Sequence, residues 1–248
     1  MSTAVPAWAA ADSYTAALRA GRGPLFLRRE DGWLLPLEVE RWCARADAAD
    51  LDVLDRCEGA VLDVGCGPGR LVAELAARGR AALGIDVSEA AVGHAVRLGG
   101  QALRRSVFEP LPGEGRWGTV LLMDGNVGIG GEPRALLDRV ARLLRPGGLL
   151  IAETAPVDVD ERARVRVVDA PGGRAAGAPF PWARVGTPAL LRHARGWQPA
   201  GRWTAGGRCF VALRSRSASS RAEPPKSTAV ISSQRARKPS GESPVASR

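Results

Sequence analysis

The stretch Val61 to Arg70, VLDVGCGPGR, carries three glycines at alternating positions, Gly65, Gly67 and Gly69, directly after an apolar run. Lacking side chains, such residues let backbone amides come close to a ligand and let the chain turn tightly from a strand into a helix. The dinucleotide fingerprint has its third glycine three positions after the second. Here Arg70 stands at that position, so the pattern is G-x-G-x-G. Asp63 lies two residues before Gly65, and Asp86, in GIDVS, closes the next apolar run about twenty residues later. At that place a carboxylate can accept both hydroxyls of a ribose. A lone glycine loop serves any tight strand-to-helix turn; loop, Asp63 and Asp86 together point to a nucleoside-containing cofactor.

The elements needed to position these groups alternate in the βαβ manner from about residue 51 to 154. Residues 60–64 form an expected buried strand, and Leu71 with Leu75 and Val72 with Ala76 make one helical face, stopped by Gly79. A second strand covers 81–85, followed by a helix capped by Ser88, a weaker third strand at 102–107 and a fourth at 119–123. Pro133 opens a helix whose stripe is Leu136, Val140, Leu143 and Leu144, closed by Arg145 and Pro146, and the fifth strand spans 148–153. Right-handed crossovers place the loops after the strand ends on one rim, where open α/β sheets bind ligands. Pro24 to Trp42 reads as a hairpin turning at Asp31 and Gly32, and RVRVVDA, RWTAGG and RCFVAL within 164–213 read as closing strands of the same sheet.

Composition bounds the rest. The 248 residues are 45% apolar, enough for a substantial core, while the longest apolar runs are far too short to span a bilayer. No basic charge precedes the alanines of the first eleven residues, so no secretory signal is read and a cytoplasmic location is expected. Cys43, Cys57, Cys66 and Cys209 are scattered and lie apart from His94 and His193, which suggests neither a disulfide framework nor a zinc site. The net charge of +9 resides mostly in residues 214–248, which hold eight basic and two acidic residues, ten serines and no Leu, Phe, Trp or Tyr. That tail is expected to be disordered. Basic residues are almost all arginine, a bias that weakens inference from any single one. The organisation read here is a cap over 1–50 (a helix plus the hairpin), a core domain over 51–213, and a basic Ser/Pro/Arg tail over 214–248.

From residue 58 to 154 the chain resembles the class I S-adenosylmethionine-dependent methyltransferases. The resemblance rests on D-x-G-x-G-x-G from Asp63 to Gly69, Asp86 after the second strand, VFEPLP after the third, and LLRPGG, Leu143 to Gly148, before the fifth. It implies a Rossmann-like α/β fold with a mostly parallel seven-stranded sheet and helices on both faces, and S-adenosyl-L-methionine as cofactor. Carried over by position, the glycine loop (Gly65, Cys66, Gly67 and Gly69) would hold the methionine part, Asp86 the ribose, and Ser106 with Val107 the adenine, with Asp63 and Val87 also counted as cofactor-binding. Ser106 stands where the family often has an acid. Gly118 replaces a common aspartate before the fourth strand, read as a lost solubilising or capping residue.

Asp124 and Asn126, ahead of a GIGG run at 128–131, are the implied groups facing the methyl donor or nucleophile, although both residue types routinely form Asx turns. Methyl transfer from a sulfonium is an in-line displacement, for which alignment matters most and a base is optional. His193, Asp124 or Tyr14 could supply one. His94 is read as structural, and Cys66 as a small residue fitting the loop. Asp124, Asn126 and Glu153 are oxygen ligands by type, but no second Asp-Asn pair follows the fifth strand and no metal is expected. The expected function is methyl transfer to O, N or C of a small molecule. The alternatives are nucleic-acid methylation, for which neither a D/N/S-P-P-aromatic run nor a Pro-Cys pair is present, and S-adenosylmethionine binding without catalysis. A nicotinamide oxidoreductase ranks last because of Arg70. No membrane partner is expected; a weak, tail-mediated nucleic-acid contact is the one such contact considered.

Overall fold

The computed structural model describes residues 12–173 and 177–215; most of the basic tail, from 216 on, lies outside them. The chain begins with α1 (Asp12–Ala20), a hairpin of β1 (Phe26–Arg29) and β2 (Leu34–Pro36), α2 (Val39–Cys43) and α3 (Ala48–Asp55). The alternating segment follows as β3 (Val61–Val64), α4 (Arg70–Ala77), β4 (Ala82–Asp86), α5 (Glu89–Arg97), β5 (Ala102–Arg104), β6 (Trp117–Leu122), a 3-10 turn at Asn126–Gly128, α6 (Pro133–Leu143) and β7 (Leu144–Thr154). The last elements are β8 (Asp160–Val168), β9 (Phe180–Val185), α7 (Thr187–His193), β10 (Gln198–Ala205) and β11 (Arg208–Arg214).

Seven strands form the main sheet in the order β10-β11-β7-β6-β3-β4-β5. Pairs from β5 to β7 are parallel, and β11 and β10 close the edge antiparallel. Strand alternation divides the core between the two faces. Leu62, Val120, Leu122, Leu150 and Ala152 pack against Leu136 and Val140 of α6 and Leu190 of α7. Val61, Leu121, Leu149 and Ile151 pack against Val53 and Leu54 of α3 and Leu71 and Leu75 of α4. The expected caps form, with the Ser88 hydroxyl accepting from the Ala91 N–H at 3.3 Å and Pro133 opening α6, but α6 ends at Leu143, and Leu144, Arg145 and Pro146, read as its last turn and stop, belong to β7, which is longer than expected. The third strand ends early, at Arg104, because Ser106 leaves the extended path to make a turn in which its Oγ accepts from the Phe108 N–H at 3.3 Å.

Two expectations are corrected. RVRVVDA does not join the main sheet. Its residues lie in β8, which pairs antiparallel with β1 (Phe26 opposite Val168) and β9 in a separate four-stranded sheet, β2-β1-β8-β9. The place beside β7 is taken by β11. Gly118 is not a lost polar residue either. A Cβ there would lie 2.3 Å from the Glu58 carbonyl oxygen, so the crossing of these two segments admits no side chain.

The second sheet covers a third cluster in which Leu27, Val165 and Val167 meet Tyr14 and Leu18 of α1 and Ala91 of α5, with Trp42, Phe180 and Trp182 at its margin. Strand β9 seats directly on the 3-10 turn through a bridge between Ile129 and Trp182. This contact explains the GIGG run. A Cβ on Gly128 would fall 2.0 Å from the Ala183 carbonyl oxygen, and one on Gly131 would fall 2.7 Å from Pro181.

Candidate active site

Strands β3, β4, β5 and β6 all end at one rim, and a cleft of about 250 Å³ opens there. One wall comes from the loops after these strands and the other from α1, α2 and β9.

The glycine loop builds the first wall. Gly65, Gly67 and Gly69 all adopt positive φ, at 70°, 54° and 93°, the left-handed region that residues with a Cβ avoid. Gly65 also has the Asn126 side-chain amide where its Cβ would be, 2.6 Å away, and Gly69 has Ala95 of α5 at 2.3 Å. Asn126 Nδ2 donates to the carbonyls of Val64 and Gly65, both at 2.9 Å, so this side chain fastens the loop after β6 to the loop after β3. His94 reaches the same loop from α5, with Nδ1 3.0 Å from the Pro68 carbonyl oxygen, which calls for the tautomer protonated on Nδ1.

Asp86 ends β4 in the cleft wall. Its Oδ2 accepts from the Gly67 N–H at 3.0 Å and its Oδ1 from the Ser88 N–H at 2.8 Å. Burial pushes this carboxyl up to about 6, against the pull of those amides. Each carboxylate oxygen has a second acceptor site beyond the amide it already holds. Cys66 also lines the cleft, packed where Gly84 leaves room, and burial raises its thiol well above the usual range. Asp63 lies beneath the loop, 2% exposed, with Oδ2 lacking a hydrogen-bond partner; burial pushes it to about 7 although the Arg70 charge opposes this.

Arg70, the residue that breaks the dinucleotide fingerprint, is the hub of a buried ion network. It makes paired bonds to Asp50 (2.7 and 3.1 Å) and to Asp124 (2.7 and 3.1 Å). Arg41 of α2 adds a 2.6 Å bond to Asp124, and Arg208 of β11 binds Asp50 at 2.8 Å and Glu153 at 2.7 and 3.0 Å. Glu153 in turn accepts the Asp124 N–H at 2.8 Å, and these bonds hold Asp124 at a φ of +56°. Burial works against charge on Asp124, yet Arg70, then Arg41 and Arg208, keep its carboxyl below the ordinary aspartate range. Burial likewise opposes charge on Asp50, and Arg70 and Arg208 hold it down to about 2.

Of the residues singled out from sequence, Gly65, Cys66, Gly67, Asp86, Val87, Ser106, Val107, Asp124 and Asn126 come together in the cleft lining. Asp63 and Gly69 support it from behind. His193 does not line the cleft. Its Nε2 sits 2.9 and 3.0 Å from the Asp160 carboxylate at the start of β8, so it has no access to a reacting atom there. Asp124 is in place but committed to guanidinium groups, which leaves it a poor proton acceptor and occupies the oxygens a cation would need. Sequence reasoning missed Arg41, Asp50 and Arg208, and also Arg139 of α6. Arg139 donates to the Val107 and Glu109 carbonyls, both at 2.7 Å, and so fixes the loop after β5. The second wall was missed in part: Phe180 and Trp182 of β9 line the cleft beside Trp42, Tyr14 and Phe108.

Comparison with known proteins bears on the family and the fold. The family described as "Methyltransferase domain" matches residues 38–208. A ubiquinone biosynthesis O-methyltransferase of Dechloromonas aromatica is 36% identical over 103 residues, 38% of this chain, and the chain spans 43% of that relative's length. A SAM-dependent methyltransferase from Bacteroides fragilis, solved in complex with S-adenosyl-L-homocysteine, shares the fold with a TM-score of 0.68 at 20% identity, over 84% of this chain and 96% of that one. A SAM-dependent methyltransferase from Methanosarcina mazei gives a TM-score of 0.53 at 16% identity, over 66% of this chain and 97% of that one. With the family matched across more than half of its length, and with the glycine loop, Asp86 and seven-stranded sheet in place, this chain belongs to the methyltransferase-domain family.

Proposed function

We propose that the protein transfers a methyl group from S-adenosyl-L-methionine to a small-molecule acceptor by in-line displacement. The observation that carries this reading is the convergence, in one cleft, of the glycine loop after β3, Asp86 after β4 and Ser106 and Val107 after β5. The donor set fits the cofactor. Asp86 has acceptor capacity left for two ribose hydroxyls, the loop amides and the Asn126 brace fit the methionine end, and the Ser106 hydroxyl with the Val107 side chain fits adenine. When bound, the cofactor supplies an electrophilic methyl on sulfonium sulfur.

The chain's own contribution is alignment and exclusion of water. Asp124 is charged and engaged, the Cys66 thiol is held protonated, and His193 lies elsewhere, so these groups do not take a proton from the acceptor. A nucleophile already competent at neutral pH, such as an acidic hydroxyl or a neutral amine, suits such a site. The aromatic second wall makes the cleft a fit for a small molecule; among the described residues its lining holds two basic groups, Arg70, which is paired, and Arg105, whereas a phosphate-tracking groove would need several unpaired ones. No helix among the described residues is long and apolar enough to cross a membrane.

Calorimetric titration of the full chain with S-adenosylhomocysteine tests the reading, with NAD as control. Micromolar affinity for S-adenosylhomocysteine, lost in Asp86→Ala, is expected. Preference for NAD, or no binding by folded protein, would overturn it.

A further inference from the structure

We propose that the nucleobase end of the cleft does not discriminate at the purine 6-position, and that Arg105 and Ser106 together satisfy a 6-oxopurine, hypoxanthine, as well as they satisfy adenine. The proposal rests on the methyltransferase reading of the same cleft and concerns which purine its cofactor carries.

The loop after β5 supplies this end of the cleft through Arg105, Ser106, Val107 and Phe108, none of which carries an acid or an amide side chain. The acid of the same loop, Glu109, does not line the cleft and is folded back on its own turn, where its Oε2 accepts the Ser106 N–H at 2.6 Å. The main-chain acceptors are turned away as well. The Val107 and Glu109 carbonyls both accept from Arg139 at 2.7 Å, and Arg139 belongs to α6, buried and outside the cleft lining. The Ser106 carbonyl accepts the Glu109 N–H at 3.1 Å, and the Asp86 carbonyl accepts the Arg105 N–H at 2.9 Å. The Asp86 carboxylate, at the end of the neighbouring strand, already holds two backbone amides, and its remaining capacity matches ribose hydroxyls. No acceptor is thus set aside for a 6-amino group.

What remains is one group that only donates and one that does both. Arg105 is exposed at the cleft, and among the described residues its guanidinium has no hydrogen-bond or ion-pair partner. The other basic group of the lining, Arg70, is taken up by Asp50 and Asp124. A guanidinium donates and never accepts. The Ser106 Oγ accepts the Phe108 N–H at 3.3 Å, which leaves its proton to donate and a lone pair to accept. Adenine presents a donor at its 6-position and an acceptor at N1, and hypoxanthine presents the reverse. A hydroxyl that rotates to suit, beside a guanidinium fork on a flexible stem, matches one donor and one acceptor in either order. A carboxylate at residue 106 would match adenine alone, because the 6-oxygen of hypoxanthine would meet a second acceptor.

The test is calorimetric titration of the full chain with S-adenosylhomocysteine and with S-inosylhomocysteine, the same compound carrying hypoxanthine in place of adenine. The inosine compound is expected to bind no more than about threefold more weakly than its adenosine counterpart. A site that read the 6-amino group through a dedicated buried acceptor would reject it by orders of magnitude. Any preference for S-adenosylhomocysteine beyond threefold therefore overturns the proposal. Arg105→Met, a change at an exposed side chain, should weaken both ligands by at least about threefold, and unchanged affinity for either would remove Arg105 from the account. Ser106→Asp should make the cleft selective, lowering the affinity for the inosine compound at least about tenfold relative to S-adenosylhomocysteine; a parallel change in both would count against Ser106. The wild-type comparison decides the matter even if a variant fails to fold. Failure of both compounds to bind folded wild-type protein would instead overturn the functional reading beneath the proposal.

Discussion

Replacing Arg70 by methionine, which keeps much of the volume and removes the charge, should destabilise the fold by about 3 kcal/mol at pH 7. Breaking a buried pair by removing one partner costs about 3–5 kcal/mol, because the other charge is left desolvated. Arg70 serves two carboxylates, Asp50 at 0% and Asp124 at 13% side-chain exposure. The loss is held to the lower end because Arg208 stays 2.8 Å from Asp50 and Arg41 stays 2.6 Å from Asp124. The pKa of Asp50 gives an independent gauge. Its descent from 3.8 to about 2 corresponds to roughly 2 kcal/mol of stabilisation shared between Arg70 and Arg208.

The sign of the pH dependence follows from the same numbers. In the wild type the depressed Asp50 contributes stability that is present above 3.8 and is lost as pH falls through about 2. In Arg70→Met, with one of its two guanidinium partners gone and burial the largest influence on it, Asp50 is expected to rise above 3.8, so the variant should lose stability as pH rises through that higher value. The gap between the two proteins is therefore widest at neutral pH and narrows toward pH 4. Urea denaturation at pH 7 and pH 4 measures it. A loss below about 1 kcal/mol at pH 7, or the same loss at both values, would refute this account of the network.

Asn126→Ala removes both bonds to the glycine loop and should weaken S-adenosylhomocysteine binding about tenfold, the equivalent of one to two ordinary hydrogen bonds, measured by calorimetry. Asp86 has a carboxyl raised to about 6 and binds hydroxyl donors best when ionised, so affinity should be constant above pH 7 and fall as pH drops through 6, approaching tenfold per unit below it. A flat profile from pH 5 to 8 would count against Asp86 as the ribose acceptor. Gly128→Ala would push its new methyl into the Ala183 carbonyl; β9 should then lift from the 3-10 turn, seen as faster limited proteolysis between residues 169 and 186 with the main sheet still intact by circular dichroism.

Much of the donor half was legible in sequence because its signals are local. Glycine spacing, the strand ahead of it and an acid at the next strand end all lie within thirty residues, and parallel βαβ units are regular enough to be read from periodicity. Gly128 and Gly118 were harder, since what forbids a side chain there is a backbone segment from elsewhere, the Ala183 carbonyl in one case and the Glu58 carbonyl in the other. The ion network was hidden for a different reason. In a chain whose basic residues are nearly all arginine, Arg41, Arg70 and Arg208 look no different from their solvated counterparts, and only burial separates them. Arg70 did leave one trace, as the residue that stands where the dinucleotide fingerprint has its third glycine. His193 was attractive by residue type alone, and the fold spends it on Asp160.

The four-stranded sheet joins a hairpin near the start of the chain to two strands that follow the last parallel strand. During synthesis, the glycine loop and Asp86 can be assembled while β8 and β9 are still unmade, and β1 must wait for a partner from the far side of the whole parallel core. Contacts of such long range form late, because loop closure has to precede the pairing that rewards it. The second wall of the cleft thus depends on two distant stretches of the gene, and variation in either can reshape it while the loops after the parallel strands stay unchanged.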